Sequence, residues 1–155
     1  ASPLGFVATA AVLLAGAVAV LGPVPVLLVR SEAGADLSVT VLRGPVEVRL
    51  EYVHSVERTP VVEVYVAEPG LFRFVRMEFV SQGAGLPTSG YVREGDQFVL
   101  RSERRLPDLP IRVSGRSSPR LVVNGEMLDL MALVGDGALV RVRVGSRTRL
   151  PLPGR

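Results

Sequence analysis

The segment Val46-Glu47-Val48-Arg49-Leu50-Glu51-Tyr52-Val53-His54 constrains the fold most. Apolar or aromatic side chains occupy alternate positions, and charges fall between them. Period two with charge opposite apolar residues is the pattern of a strand with one buried face. A helix would repeat its apolar residues roughly every three to four positions. Val46, Val48, Leu50, Tyr52 and His54 share the buried face; Glu47, Arg49 and Glu51 share the solvated one.

Similar short segments recur along the chain. Strands are expected at 26–29, 37–42, 61–67, 71–80, 97–101, 111–113, 120–123 and 138–144, with a short helical turn within 128–134. Asn124-Gly125 suits the positive φ angles of a type I′ hairpin turn, and Glu94-Gly95-Asp96 forms a second hairpin tip. The 16 Gly and 12 Pro supply the turns that many short strands need. The expected class is all-β: an antiparallel β-sandwich, with a small barrel as the alternative, behind an N-terminal apolar helix. The boundaries are 1–23 for a membrane anchor or signal segment, 24–145 for the β domain and 146–155 for a flexible C-terminal tail.

Residues 4–21 contain no charge and a single hydroxyl, Thr9. A membrane-spanning helix needs about 20 apolar residues. Gly22-Pro23-Val24-Pro25 then ends the run, because proline lacks an N–H and restricts the residue before it. Three outcomes compete: a retained anchor, a signal peptide cleaved after Ala17-Val18-Ala19, and a helix buried in the domain. Arg30 and Arg43 follow the segment, so a literal positive-inside rule leaves the domain in the cytoplasm.

With no cysteine, disulfides, thiolate metal sites and cysteine nucleophiles are excluded. The isoelectric point of about 10.1 does not imply nucleic-acid binding. The net charge is only +3, and the arginines alternate with apolar residues, as in Arg141-Val142-Arg143-Val144. That alternation marks the solvated face of a sheet.

Two segments carry more chemistry than turns need. The first runs from Tyr52 to Glu63 and gathers Tyr52, His54, Ser55, Glu57, Arg58, Thr59 and Glu63 between two strands. His54 and Ser55 are neighbours in a strand, so their side chains leave on opposite faces, which disfavours a base–nucleophile pair. One histidine with Glu57 and Glu63 is too few ligands for a usual zinc site, so no metal or other cofactor is expected. His54 also fits a buried role that orders the loop. The second segment is Ser81-Gln82-Gly83-Ala84-Gly85-Leu86-Pro87. Gly83 and Gly85 permit a tight turn or an anion-binding nest. Thr88 stands where a dinucleotide fingerprint needs glycine, and the P-loop lysine is missing. Arg105 follows as a basic turn or an anion contact.

Taken in order, Tyr52-x-His54-Ser55-Val56-Glu57-x-Thr59-Pro60-x-x-Glu63, Gly83-Ala84-Gly85-Leu86-Pro87 and Arg105-Leu106-Pro107 resemble the domain-of-unknown-function eighteen-fifty family, over about residues 25–144. The resemblance implies a small extracytoplasmic protein with an N-terminal membrane segment. Such proteins are often encoded beside TAXI-type TRAP transporters, which take up carboxylates and amino acids. It supplies no catalytic residues.

The expected function is therefore a non-enzymatic interaction module on the periplasmic side of the cytoplasmic membrane, or exported and soluble if the N-terminus is cleaved. Its partners would be the membrane, through residues 4–21, and a TRAP permease or its solute-binding protein. One alternative is a small-anion site, with Arg58 or Arg105 pairing a carboxylate and His54 orienting it. A second is a hydrolase using His54, Ser55 and Glu57. Sequence spacing leaves open whether the two motif loops meet.

Overall fold

A computed structural model describes residues 23–148. The first strands are β1 (Pro23–Ser31), β2 (Asp36–Val41), β3 (Val46–Val53), β4 (Pro60–Glu68), β5 (Leu71–Phe79) and β6 (Tyr91–Glu94). They are followed by β7 (Gln97–Arg101), β8 (Arg105–Leu106), β9 (Asp108–Arg112), β10 (Arg120–Val123), β11 (Glu126–Asp129) and β12 (Leu139–Thr148). One short helix, α1 (Leu130–Val134), precedes β12. Asp129 caps α1 by accepting from the Ala132 N–H at 3.0 Å.

Every strand pairing is antiparallel. One sheet has the order β2-β1-β12-β9; the other has β11-β10-β3-β4-β5-β7-β6, with β8 on β5. Both sheets end in edge strands, so neither closes and the barrel alternative does not form. At the Asn124-Gly125 hairpin φ is 51° and 81°, as a type I′ turn requires.

The alternation in β3 is realised as expected. Val46, Val48 and Leu50 are buried and Glu47 is exposed. They meet Leu27 and Val29 of β1, Leu109 and Ile111 of β9 and Val140, Val142 and Val144 of β12 in one core shared by the two sheets. Phe72 and Phe79 are wholly buried, each contributing about 2–3 kcal/mol of transfer free energy. The second sheet is wider than the first. A smaller cluster of Val61, Met77, Phe79 and Leu86 fills its remaining inner face, with Tyr52 and Phe74 packed against both clusters.

β1 and β12 both run further than their patterns indicate. Pro23 and Pro25 belong to β1: Pro23 lies beyond the end of β2, and Pro25 closes the β1–β2 ladder, its carbonyl accepting from the Leu42 N–H at 2.9 Å. Pro25 thereby forfeits only the reciprocal bond of the last rung, while Pro23 has no strand on its N–H side and costs no ladder bond. Pro110 is held in β9 for the same reason, since β9 pairs only with β12. The apolar segment 4–21 and the last seven residues lie outside the described region. Among the described residues no helix is long and apolar enough to cross a membrane.

Candidate functional site

β3 ends at Val53, and the chain turns through Ser55–Arg58 before β4 starts at Pro60. The turn is closed twice by backbone: His54 N–H donates to the Thr59 carbonyl at 2.8 Å, and Arg58 N–H to the His54 carbonyl at 2.9 Å. Arg58 holds a left-handed φ of 58°, a conformation that costs a bulky residue energy and persists where neighbours impose it. Its guanidinium donates to the Arg116 carbonyl in the β9–β10 loop, which fastens the turn to that loop.

His54 continues the inward face and is 7% exposed. Its Nδ1 accepts from the Glu57 N–H at 3.1 Å, so that nitrogen carries no proton. Its Nε2 therefore carries the hydrogen, donated to the Ala84 carbonyl at 2.9 Å. Ala84 belongs to the second motif, so this bond joins the two motif loops. Thr59 Oγ1 and Ser81 Oγ form a second link at 2.6 Å. Glu57 forms a third by packing: a Cβ on Gly83 would lie 2.6 Å from Glu57 Cγ. A larger residue there would have to displace the Glu57 side chain.

The second motif is itself a turn. Leu86 N–H donates to the Gly83 carbonyl at 3.1 Å, and Gly85 between them has φ of 90°. That is the position where type II turns demand glycine. The turn drives Leu86 into the smaller cluster, where it is 7% exposed. The motif thus covers the part of the wide sheet that the narrow one leaves bare.

Under this cap lies Glu63. The register Leu50↔Glu63 and Tyr52↔Val61 puts Glu63 on the inner face of β4, between Val61 and Tyr65. Tyr52 Oη donates to Glu63 Oε1 at 2.9 Å, and Tyr65 Oη donates to Oε2. Burial first, and then the Glu63 carboxylate, push both phenols well above the usual tyrosine range. Tyr65 is fixed further by Phe74, 5.2 Å away between ring centres, and by Phe72 at its edge.

Two clefts flank Glu63 and share it with Gly85 and Leu86. One, of about 480 Å³, opens toward β9 and is lined by Tyr52, His54, Ile111, Arg112 and Ser117. The other, of about 400 Å³, is lined by Tyr65, Phe74, Met77, Leu100 and Arg104. Both volumes lie in the range of small-molecule sites.

The structure brings together Tyr52, His54, Glu57, Thr59, Glu63, Gly83 and Gly85. Ser55 is exposed in the turn and also lines the 480 Å³ cleft with His54 and Glu63. Arg58 is committed to the β9–β10 loop. Arg105 is not part of the site. It pairs opposite Arg73 while Leu106 pairs opposite buried Phe72, so Arg105 faces away from the clefts and its neighbour Arg104 lines one. Tyr65 and Arg104 are additions. Tyr65 stands two residues from Glu63, and strand alternation alone places them on one face. Among the described residues, no group of three or more His, Asp or Glu is placed to hold a metal ion.

Fold and site define a class: an all-β domain of two open antiparallel sheets, its two motif loops locked over a carboxylate held by tyrosines. Residues 48–130 match the family described as "Domain of unknown function (DUF1850)", and the chain belongs to that family. The matched span contains both motif loops and Glu63. No curated protein and no solved structure matches the chain.

Proposed function

We propose that this chain is a non-enzymatic extracytoplasmic interaction module, an accessory to a TAXI-type TRAP transporter for carboxylates or amino acids. In this reading the two sheets act as a β-sandwich scaffold, residues 4–21 tether it to the cytoplasmic membrane, and the motif-loop end meets the permease or its solute-binding protein.

One observation carries the proposal: the motif side chains are engaged with one another and with backbone. Both ring nitrogens of His54 hold backbone groups, so neither is aimed at the Ser55 hydroxyl as a general base must be. The same bonds make a rigid surface, and its tip presents Val56, which is 68% exposed. A large apolar side chain on a pre-ordered loop suits docking, since little ordering entropy remains to be lost on binding.

The test is a photo-crosslinking residue at Val56 of the full-length protein in native membranes, with a probe at exposed Val92 as the control. The expected result is a Val56-specific adduct to a TRAP permease or its solute receptor. Identical adduct patterns from the two positions, or no adduct to either component, would reject the proposal.

A further inference from the structure

Several arginines and carboxylates on this protein meet directly: Arg73 with Glu68 and Glu103, Arg76 with Glu78, Arg101 with Glu94, Arg141 with Asp108. Glu63 and Arg104 are in none of these pairs. They line the same 400 Å³ cleft and form no ion pair with each other. Phe74, Met77, Leu100 and Leu106 supply the apolar part of its lining.

The Glu63 carboxylate is oriented but not exhausted. Each oxygen accepts one tyrosine hydroxyl, and a carboxylate oxygen accepts two hydrogen bonds. The remaining acceptor sites are available to a donor in either cleft. Tyr65 and Phe74 add aromatic surface beside the carboxylate, which favours a cation. Arg104 supplies five donors suited to a carboxylate. A ligand with both charges can engage Glu63 and Arg104 at once, which a ligand with only one charge cannot.

The geometry points to a binding site for a small zwitterion, its ammonium on Glu63, its carboxylate on Arg104 and its carbon chain against Phe74, Met77 and Leu100. This assignment is independent of any docking partner at Val56. It revises the sequence-based anion site, whose proposed arginines, Arg58 and Arg105, do not line this cleft.

Calorimetry on the intact chain tests it, with glycine, 4-aminobutyrate, 6-aminohexanoate and L-leucine as zwitterions of differing charge separation. Butylamine and butyrate serve as single-charge controls. At least one zwitterion is expected to bind at least about tenfold more tightly than both controls, one charge-assisted contact being worth about that factor. Glu63→Gln and Arg104→Gln should each lower that affinity at least about tenfold. Arg104 is exposed, so Arg104→Gln leaves the fold intact and carries the test if Glu63→Gln lowers folding stability. The assignment fails if no zwitterion gives heat at millimolar concentration. It also fails if a control binds as tightly, or if Arg104→Gln leaves the affinity unchanged.

Discussion

Replacing His54 by alanine should unfasten the two motif loops. The imidazole makes two hydrogen bonds to backbone, to the Glu57 N–H at 3.1 Å and to the Ala84 carbonyl at 2.9 Å. Each contributes about 1 kcal/mol net. Truncating a side chain that is 7% exposed removes packing as well, at about 1 kcal/mol for a partly collapsible site. The sum is about 3 kcal/mol, or roughly 10 °C in Tm for a domain of this size. Differential scanning calorimetry reads the loss, and amide exchange locates it. The Leu86 amide, bonded to Gly83 in the released turn, should exchange faster than amides of β1 and β12. His54→Gln, which keeps a donor near the Nε2 position, should recover part of the loss. A Tm change below about 2 °C for His54→Ala, with Leu86 exchange unaltered, would refute the strut role.

Three further outcomes follow from the same geometry. The phenols of Tyr52 and Tyr65 are raised in the fold, so their contribution is complete below about pH 10 and disappears as pH climbs beyond it; Tm should fall in that window, and a Tyr52→Phe, Tyr65→Phe double variant with an equally steep fall would contradict this. Arg141, and after it Arg143, hold the Asp108 carboxyl below its ordinary range against the opposing effect of burial, so this stabilisation is present above about pH 4 and lost below it. Asp108→Asn should cost under about 1 kcal/mol near neutrality, because the arginines are well exposed, and the gap in urea midpoint should narrow as the Asp108 carboxyl is protonated in acid; a gap that persists in acid argues for lost packing instead. Gly85→Ala places a side chain at φ of 90° and should cost about 1–2 kcal/mol in urea unfolding even though the space is open; an unchanged midpoint would mean the turn adopts another conformation.

The period-two pattern of β3 foretold its buried face down to His54, because alternation is a property of the backbone and survives any tertiary arrangement. Strands interrupted by proline were legible only in part. The expected strands begin only after Pro25 and Pro110, and whether a proline breaks a ladder depends on whether another strand lies on its N–H side, which is set by sheet order. The site divides in the same way. Tyr52, His54 and Glu63 were visible as polar residues near a strand end. Their union with Gly83 and Gly85 follows from the β4–β5 hairpin, which returns the chain to the same end of the sheet. The choice of Arg104 over Arg105 rests on the parity of a two-residue strand, and a segment that short shows no period.

The pairing of β1 with β12 sets Pro23 directly across from Thr148. Tension applied at those two positions would load the outermost rung of that ladder alone and then each rung in turn, so the strands would part like a zipper. Low force would suffice, because the bonds never bear the load together. Joining residue 148 to residue 23 by a short turn and reopening the chain at Asn124-Gly125 would relocate the grips without disturbing this ladder. The permuted domain would then meet the pull with many bonds in parallel across β3 and β10 only if the load ran along those strands, which makes the direction of pulling, more than the fold's total stability, the quantity that decides how this domain yields.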